Sequence, residues 1–156
     1  MDKNAMHIWV DGDACPAVIK ELLFRAAVRV KVSLTLVANE KLRVPASEFI
    51  QTLVVGSGTN VADKQIVELV QPGDLVVTAD VPLAAHVVQK GGIAIDPRGD
   101  LYTAENIGER ITMRNLMDEL RGNDLVTGGP APFGAKDKQA FANQLDRILA
   151  KCVKSR

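Results

Sequence analysis

Asp11 and Asp13 stand one residue apart at the end of the apolar run HIWVDGDACP, from His7 to Pro16. Three more carboxylates follow in comparable places: Asp63 in VADKQ, Asp80 closing DLVVTAD, and Asp96 closing IAID. If they meet, two such groups ~4 Å apart repel by about 4 kcal/mol at an effective dielectric near 20. Net fold stability is only about 5 to 15 kcal/mol, so several together require protons or a cation. A donor set of oxygens without His or Cys suits Mg²⁺ or Mn²⁺. The paired charge after the first apolar run reads as the first half of such a cage, and Asp11 with Asp80 carries most of the argument.

The elements that must position these residues alternate along the chain. HIWVD reads as a strand, and PAVIKELLFRAAVRV as a helix with Ile19, Leu22, Leu23, Ala26, Ala27 and Val30 on one face. VSLTLVA and LVV at 53–55 read as strands, and VADKQIVELV as a helix. DLVVTAD is a buried strand after a PG turn, VPLAAHVVQKGG a short helix closed by glycine, and IAIDP a further strand. This βα period predicts a three-layer α/β/α sandwich with a mainly parallel sheet. In such sheets ligands bind beyond the carboxyl ends of the strands, where strand order reverses. All five carboxylates fall on that edge, and Asp11 and Asp80 flank the reversal if their strands are neighbours.

Each residue also has a plainer use. Asp13 suits a cap for the helix opened by Pro16, and Asp63 a first-turn position after an N-cap at Asn60. Asp96 before Pro97, Asp74 and Asp100 fit turn chemistry. Two helices end the chain from about residue 105. One has Met113, Leu116, Met117 and Leu120 on its apolar face, the other Phe141, Leu145, Ile148, Leu149 and Cys152. Between them GNDLVTGGPAPFGA, residues 122–135, reads as an irregular loop that shapes a site.

Length and composition narrow the classes. The 156 residues fit one domain, 1–156; 47% are hydrophobic and 24% charged, as in a soluble globular protein. Lys plus Arg equals Asp plus Glu at 19 each, so any phosphate affinity comes from local cations. Arg98, Arg114, Arg121, Lys136 and Lys138 are candidate clamps on a phosphate backbone, each also readable as a solvated surface charge. The two cysteines match no metal spacing, and no apolar run reaches the ~20 residues that span a bilayer. The expectation is a cytoplasmic protein with no disulfide-linked partner and no membrane segment. Cys15 reads as a small buried thiol. No feature marks an oligomeric state.

The stretches DGDACP, VADKQIVELVQPGDLVVTADVPLAAHVVQKG, DPRG, RNLMDELR and GGPAPF together resemble the YaiI/YqxD family of bacterial proteins, from about His7 to Asp146. That family is regarded as a relative of PIN-domain nucleases. Asp11, Asp63 and Asp80 match their acidic positions after the first strand, at the start of a middle helix and after the fourth strand. The resemblance implies that these three do the catalysis and, with Asp13 and Asp96, hold one or two Mg²⁺ or Mn²⁺ ions. Thr78 would orient a ligating carboxylate, or else be an ordinary β-branched strand residue. The implied activity is metal-dependent phosphodiester hydrolysis, on RNA ahead of DNA. Two other readings stand beside it: a non-catalytic RNA-binding or regulatory module that keeps the acidic site, and a phosphatase resembling the haloacid dehalogenases. The latter also open with D-x-D, but ACP after the second Asp breaks their pattern.

Overall fold

A computed structural model describes residues 6–56, 61–122 and 132–154, the side chains of 152–154 excepted. Its elements are β1 (His7–Asp11), α1 (Ala17–Val30), β2 (Ser33–Ala38), β3 (Ile50–Val54), α2 (Val61–Leu69), β4 (Leu75–Val77), α3 (Val81–Gln89), β5 (Ile93–Ile95), β6 (Leu101–Tyr102), α4 (Ile107–Gly122) and α5 (Ala135–Lys154). The sheet runs β3-β2-β1-β4-β5-β6, parallel except for β6, which pairs antiparallel with β5. The architecture is the expected α/β/α sandwich. Its strand order reverses between β1 and β4, where Trp9 lies opposite Val76 and Val10 opposite Val77.

Period-two alternation splits the sheet between two cores. Ile8, Val10, Leu34, Leu36, Leu75 and Val77 face α1 and α5, where Ile19, Leu23, Phe141, Leu145 and Leu149 pack against them. Trp9, Val37, Val76 and Ala94 face the other way, toward Ala62 and Ile66 of α2 and Leu83, Ala84 and Val87 of α3. Both faces are covered, so VSLTLVA is buried along almost its whole length despite its alternating composition. Thr35 tolerates burial there because its Oγ1 lies 2.7 Å from His7 Nε2.

At the amino end of the sheet, the buried Asp74 carboxylate accepts three N–H donors: His7 N at 3.0 Å, Trp9 Nε1 at 3.1 Å and Gln71 N at 2.9 Å. This turn residue therefore also ties the turn before β4 to β1.

Two expectations need correcting. Asp13 does not cap α1, whose N-cap is Pro16 with no side-chain hydrogen bond; its Oδ2 instead accepts Asn39 N at 2.9 Å, joining the turns after β1 and β2. The apolar stripe on α4 is only partly covered, with Met117 and Leu120 half-buried. No residue of α4 is buried, and Met113 and Leu116 are 53% and 45% exposed. By contrast, the stripe on α5 is buried as expected at Phe141, Leu145, Ile148 and Leu149. Asn60, residues 123–131 of the Gly/Pro-rich loop and the Cys152 side chain lie outside the described residues.

Candidate functional site

Three of the carboxylates are brought together beside the reversal point. Asp11 ends β1, buried, and its Oδ2 accepts Thr78 Oγ1 at 3.3 Å from the end of the neighbouring β4. The Thr78 hydroxyl in turn accepts the backbone N–H of Asp80 at 3.0 Å. Asp80 is the N-cap of α3; its Oδ1 accepts Leu83 N at 2.9 Å, and Pro82 sits in the first turn, where its missing N–H costs nothing. Asp63 enters from the first turn of α2 and is within side-chain hydrogen-bonding reach of Asp80.

The electrostatics follow from this crowding. Burial pushes the Asp11 carboxyl above its ordinary value; the Thr78 bond works against that, while the charges of Asp13 and Asp80 add to it. Asp63 is pushed up to about 7, by burial first, then by the bond to and charge of Asp80, then by Asp11. A carboxyl that near neutrality holds a proton where a cation could otherwise sit. Among the described residues, no group of three or more His, Cys, Asp and Glu side chains is spaced to hold a metal ion by itself. The donors nonetheless fit a hard divalent ion. Mg²⁺ commonly keeps several waters and takes only one or two carboxylates together with substrate phosphates, a demand the Asp63 and Asp80 pair meets.

Other sequence candidates lie elsewhere. Asp13 is exposed, and acts on Asp11 only through its charge. Asp96 sits in the turn between β5 and β6, accepting Arg98 N at 2.5 Å and Tyr102 Oη at 3.5 Å. The charges acting on it are Asp100, Arg110 and Arg98, with none of the three converging carboxylates among them. Arg98 pairs with Asp137 at 2.9 Å and lies 5.7 Å from the Phe133 ring centre, which ties that turn to the start of α5. Lys136 and Lys138 are exposed on the first turn of α5. Arg121 pairs with Asp118 at 3.2 Å. Cys15 is buried as expected; burial pushes its thiol up to about 12, which disfavours a nucleophilic thiolate.

Of the basic candidates, Arg114 does reach the carboxylates' surroundings. A cleft of about 390 Å³ is lined by Asp63, Lys64, Val67 and Glu68 of α2, Asp80, Pro82, Leu83 and His86 at and along α3, and Arg114 of α4. Lys64, Glu68 and His86 carry no motif signal. Helical spacing does not single them out either: Lys64 and Glu68 lie one and five residues beyond Asp63 and His86 six beyond Asp80, none of them at the three- or four-residue offset that shares a helix face with those carboxylates.

Comparison with known proteins agrees with the motif reading. Residues 9–151 match the model of a family described as "Uncharacterized BCR, YaiI/YqxD family". A UPF0178 protein of Hydrogenovibrio crunogenus is 55% identical over 151 residues, covering 97% of this chain and all of the relative. One from Shewanella amazonensis is 57% identical over 149 residues, covering 96% of this chain and all of the relative. No solved structure matches. With the family model matched over residues 9–151 and relatives more than half identical over nearly the whole chain, the chain belongs to the YaiI/YqxD family.

Proposed function

We propose that this protein is a divalent-metal-dependent nuclease that hydrolyses phosphodiesters, RNA ahead of DNA. The observation carrying the reading is the convergence of Asp11, Asp63 and Asp80, from three separate elements, at the point where strand order reverses. Asp63 and Asp80 would hold Mg²⁺ or Mn²⁺, with Asp11 behind them; when bound, such an ion lowers the pKa of attacking water and stabilises charge developing on the phosphate. Asp80 is aimed by the backbone it caps, and Asp11 by the Thr78 hydroxyl, so neither needs to reorganise as charge builds up. Arg114 supplies positive charge on the far wall of the cleft. On this reading the fold is PIN-like and the protein a cytoplasmic one that meets RNA.

A second reading, a non-catalytic RNA-binding or regulatory module that keeps the acidic site, rests on the same three carboxylates, since among the described residues no group of three or more metal-donor side chains is spaced to hold an ion by itself. Incubation with single-stranded RNA, single-stranded DNA and small phosphate esters in Mn²⁺ or Mg²⁺ separates them. Cleavage of RNA by the wild type, lost in Asp80→Asn, supports the nuclease; Asn is itself a good N-cap, so this variant keeps α3. Metal and RNA binding without turnover supports the module, and turnover of small esters alone points to a phosphatase.

A further inference from the structure

The cleft extends well beyond the carboxylates, and its walls differ in kind. Its lining joins the carboxylates Asp63 and Asp80 to the apolar Val67 and Pro82, with Leu83 only 2% exposed, and to His86 and Arg114. A seat for a metal ion alone needs no such extension. At about 390 Å³ it falls in the range of small-ligand sites, which pair apolar walls with a few polar groups. Arg114 can turn to an anion at little cost, because its two contacts, a hydrogen bond to Asn115 Oδ1 at 3.2 Å and an ion pair with Asp118 at 3.8 Å, are both exposed, and exposed pairs are worth little.

We propose that this cleft is a nucleotide subsite. It takes the nucleotide unit adjoining the phosphodiester placed at Asp63 and Asp80. The base lies against Val67 and Pro82 and stacks on the His86 imidazole, as bases of single strands stack on aromatic rings. Its phosphate is held by Arg114, whose planar guanidinium suits phosphate oxygens. Lys64 adds positive charge at the rim. Glu68 offers an acceptor to an exocyclic amino group, which favours adenine or cytosine over uracil.

This inference rests on the nuclease reading for its orientation, but its ligand can be tested without turnover. The full chain is titrated with adenosine 5′-monophosphate, uridine 5′-monophosphate, ribose 5-phosphate and inorganic phosphate in Mg²⁺, followed by amide NMR shifts. The expected result is that adenosine monophosphate shifts signals of Val67, His86 and Arg114 and binds at least tenfold more tightly than inorganic phosphate. Uridine monophosphate and ribose 5-phosphate are weaker than the adenine nucleotide. Arg114→Gln lowers affinity about tenfold and His86→Ala about threefold, both at exposed positions where the fold is unaffected. Equal affinity for all four probes, or unchanged affinity in both variants, overturns the subsite. RNA cleavage lost in Asp80→Asn, with the cleft signals unmoved by adenosine monophosphate, sinks the subsite and leaves the nuclease. Arg114-dependent nucleotide binding with no cleavage by the wild type upholds the subsite and sinks the nuclease.

Discussion

Thr78 Oγ1 donates to Asp11 Oδ2 at 3.3 Å and accepts the backbone N–H of Asp80 at 3.0 Å, so one buried hydroxyl couples the ends of two adjacent parallel strands. Thr78→Val keeps the shape, leaves Asp11 without its donor and strands the Asp80 amide. The expected loss is about 1 to 3 kcal/mol, a fall of several degrees in the thermal midpoint, with the Asp11 carboxyl moving further up. Thr78→Ser restores most of both. Calorimetry and carboxyl NMR check this; equal losses in the two variants would show that the hydroxyl is not the cause.

Asp63 has the opposite kind of pH dependence from an ordinary surface carboxylate. Raised from 3.8 to about 7, it binds its proton more tightly folded than unfolded. Its contribution to stability is complete below pH ~4 and is lost as pH rises through about 7. The thermal midpoint of the wild type minus that of Asp63→Asn should therefore fall across this window. At pH ~8 Mn²⁺ should raise the midpoint of the wild type and leave Asp63→Asn and Asp80→Asn nearly unmoved.

His7 pulls the other way. Burial holds its imidazole below 6.5, with the Asp74 charge partly opposing, so the unfolded chain takes up the proton first. Stability present above pH ~6.5 is lost as pH falls through the folded-state value. Because the trends of His7 and Asp63 overlap with opposite signs, each is read as a difference between variant and wild type. In His7→Phe the urea midpoint should fall less between pH ~7 and ~5 than in the wild type.

Gly99 has φ +96°, and a Cβ there would lie 2.6 Å from the carbonyl carbon of Ala140 and 2.8 Å from the amide nitrogen of Phe141. Both neighbours are backbone of α5, so neither can swing aside. Gly99→Ala should cost about 2 to 5 kcal/mol by chemical denaturation, combining a left-handed residue with an overfilled contact. A loss below about 1 kcal/mol would mean that the turn and α5 separate easily.

Much of this was legible because apolar period and carboxylate placement agree. HIWVD and DLVVTAD are short, apolar and ended by Asp, so their role as neighbouring central strands and the meeting of Asp11 with Asp80 follow from one topology rule. β6 was not legible: two residues, Leu101 and Tyr102, are too few to show a period. Asp96 looked equivalent to Asp80 since both end a strand. The difference lies downstream, where PRGD turns the chain into an antiparallel pair and engages the carboxylate with Arg98 N. Asp13 looked like a cap because local spacing cannot reveal Asn39, 26 residues away. The stripe on α4 misled for another reason: amphipathic spacing shows which side of a helix is apolar but not whether anything covers it.

With no fully buried side chain of its own, α4 is held mainly at its first turns, where Ile107 packs against the core under α2 and α3 and Arg110 reaches Asp100 and the Tyr102 ring, and beyond them by its neighbour α3. A detached helix of sixteen residues is only marginally stable in water. Its amides should therefore trade deuterium orders of magnitude sooner than those of α3. The wall bearing Arg114 is then the part of the molecule that can loosen, or drift over evolutionary time, while the strand ends carrying Asp11 and Asp80 stay put.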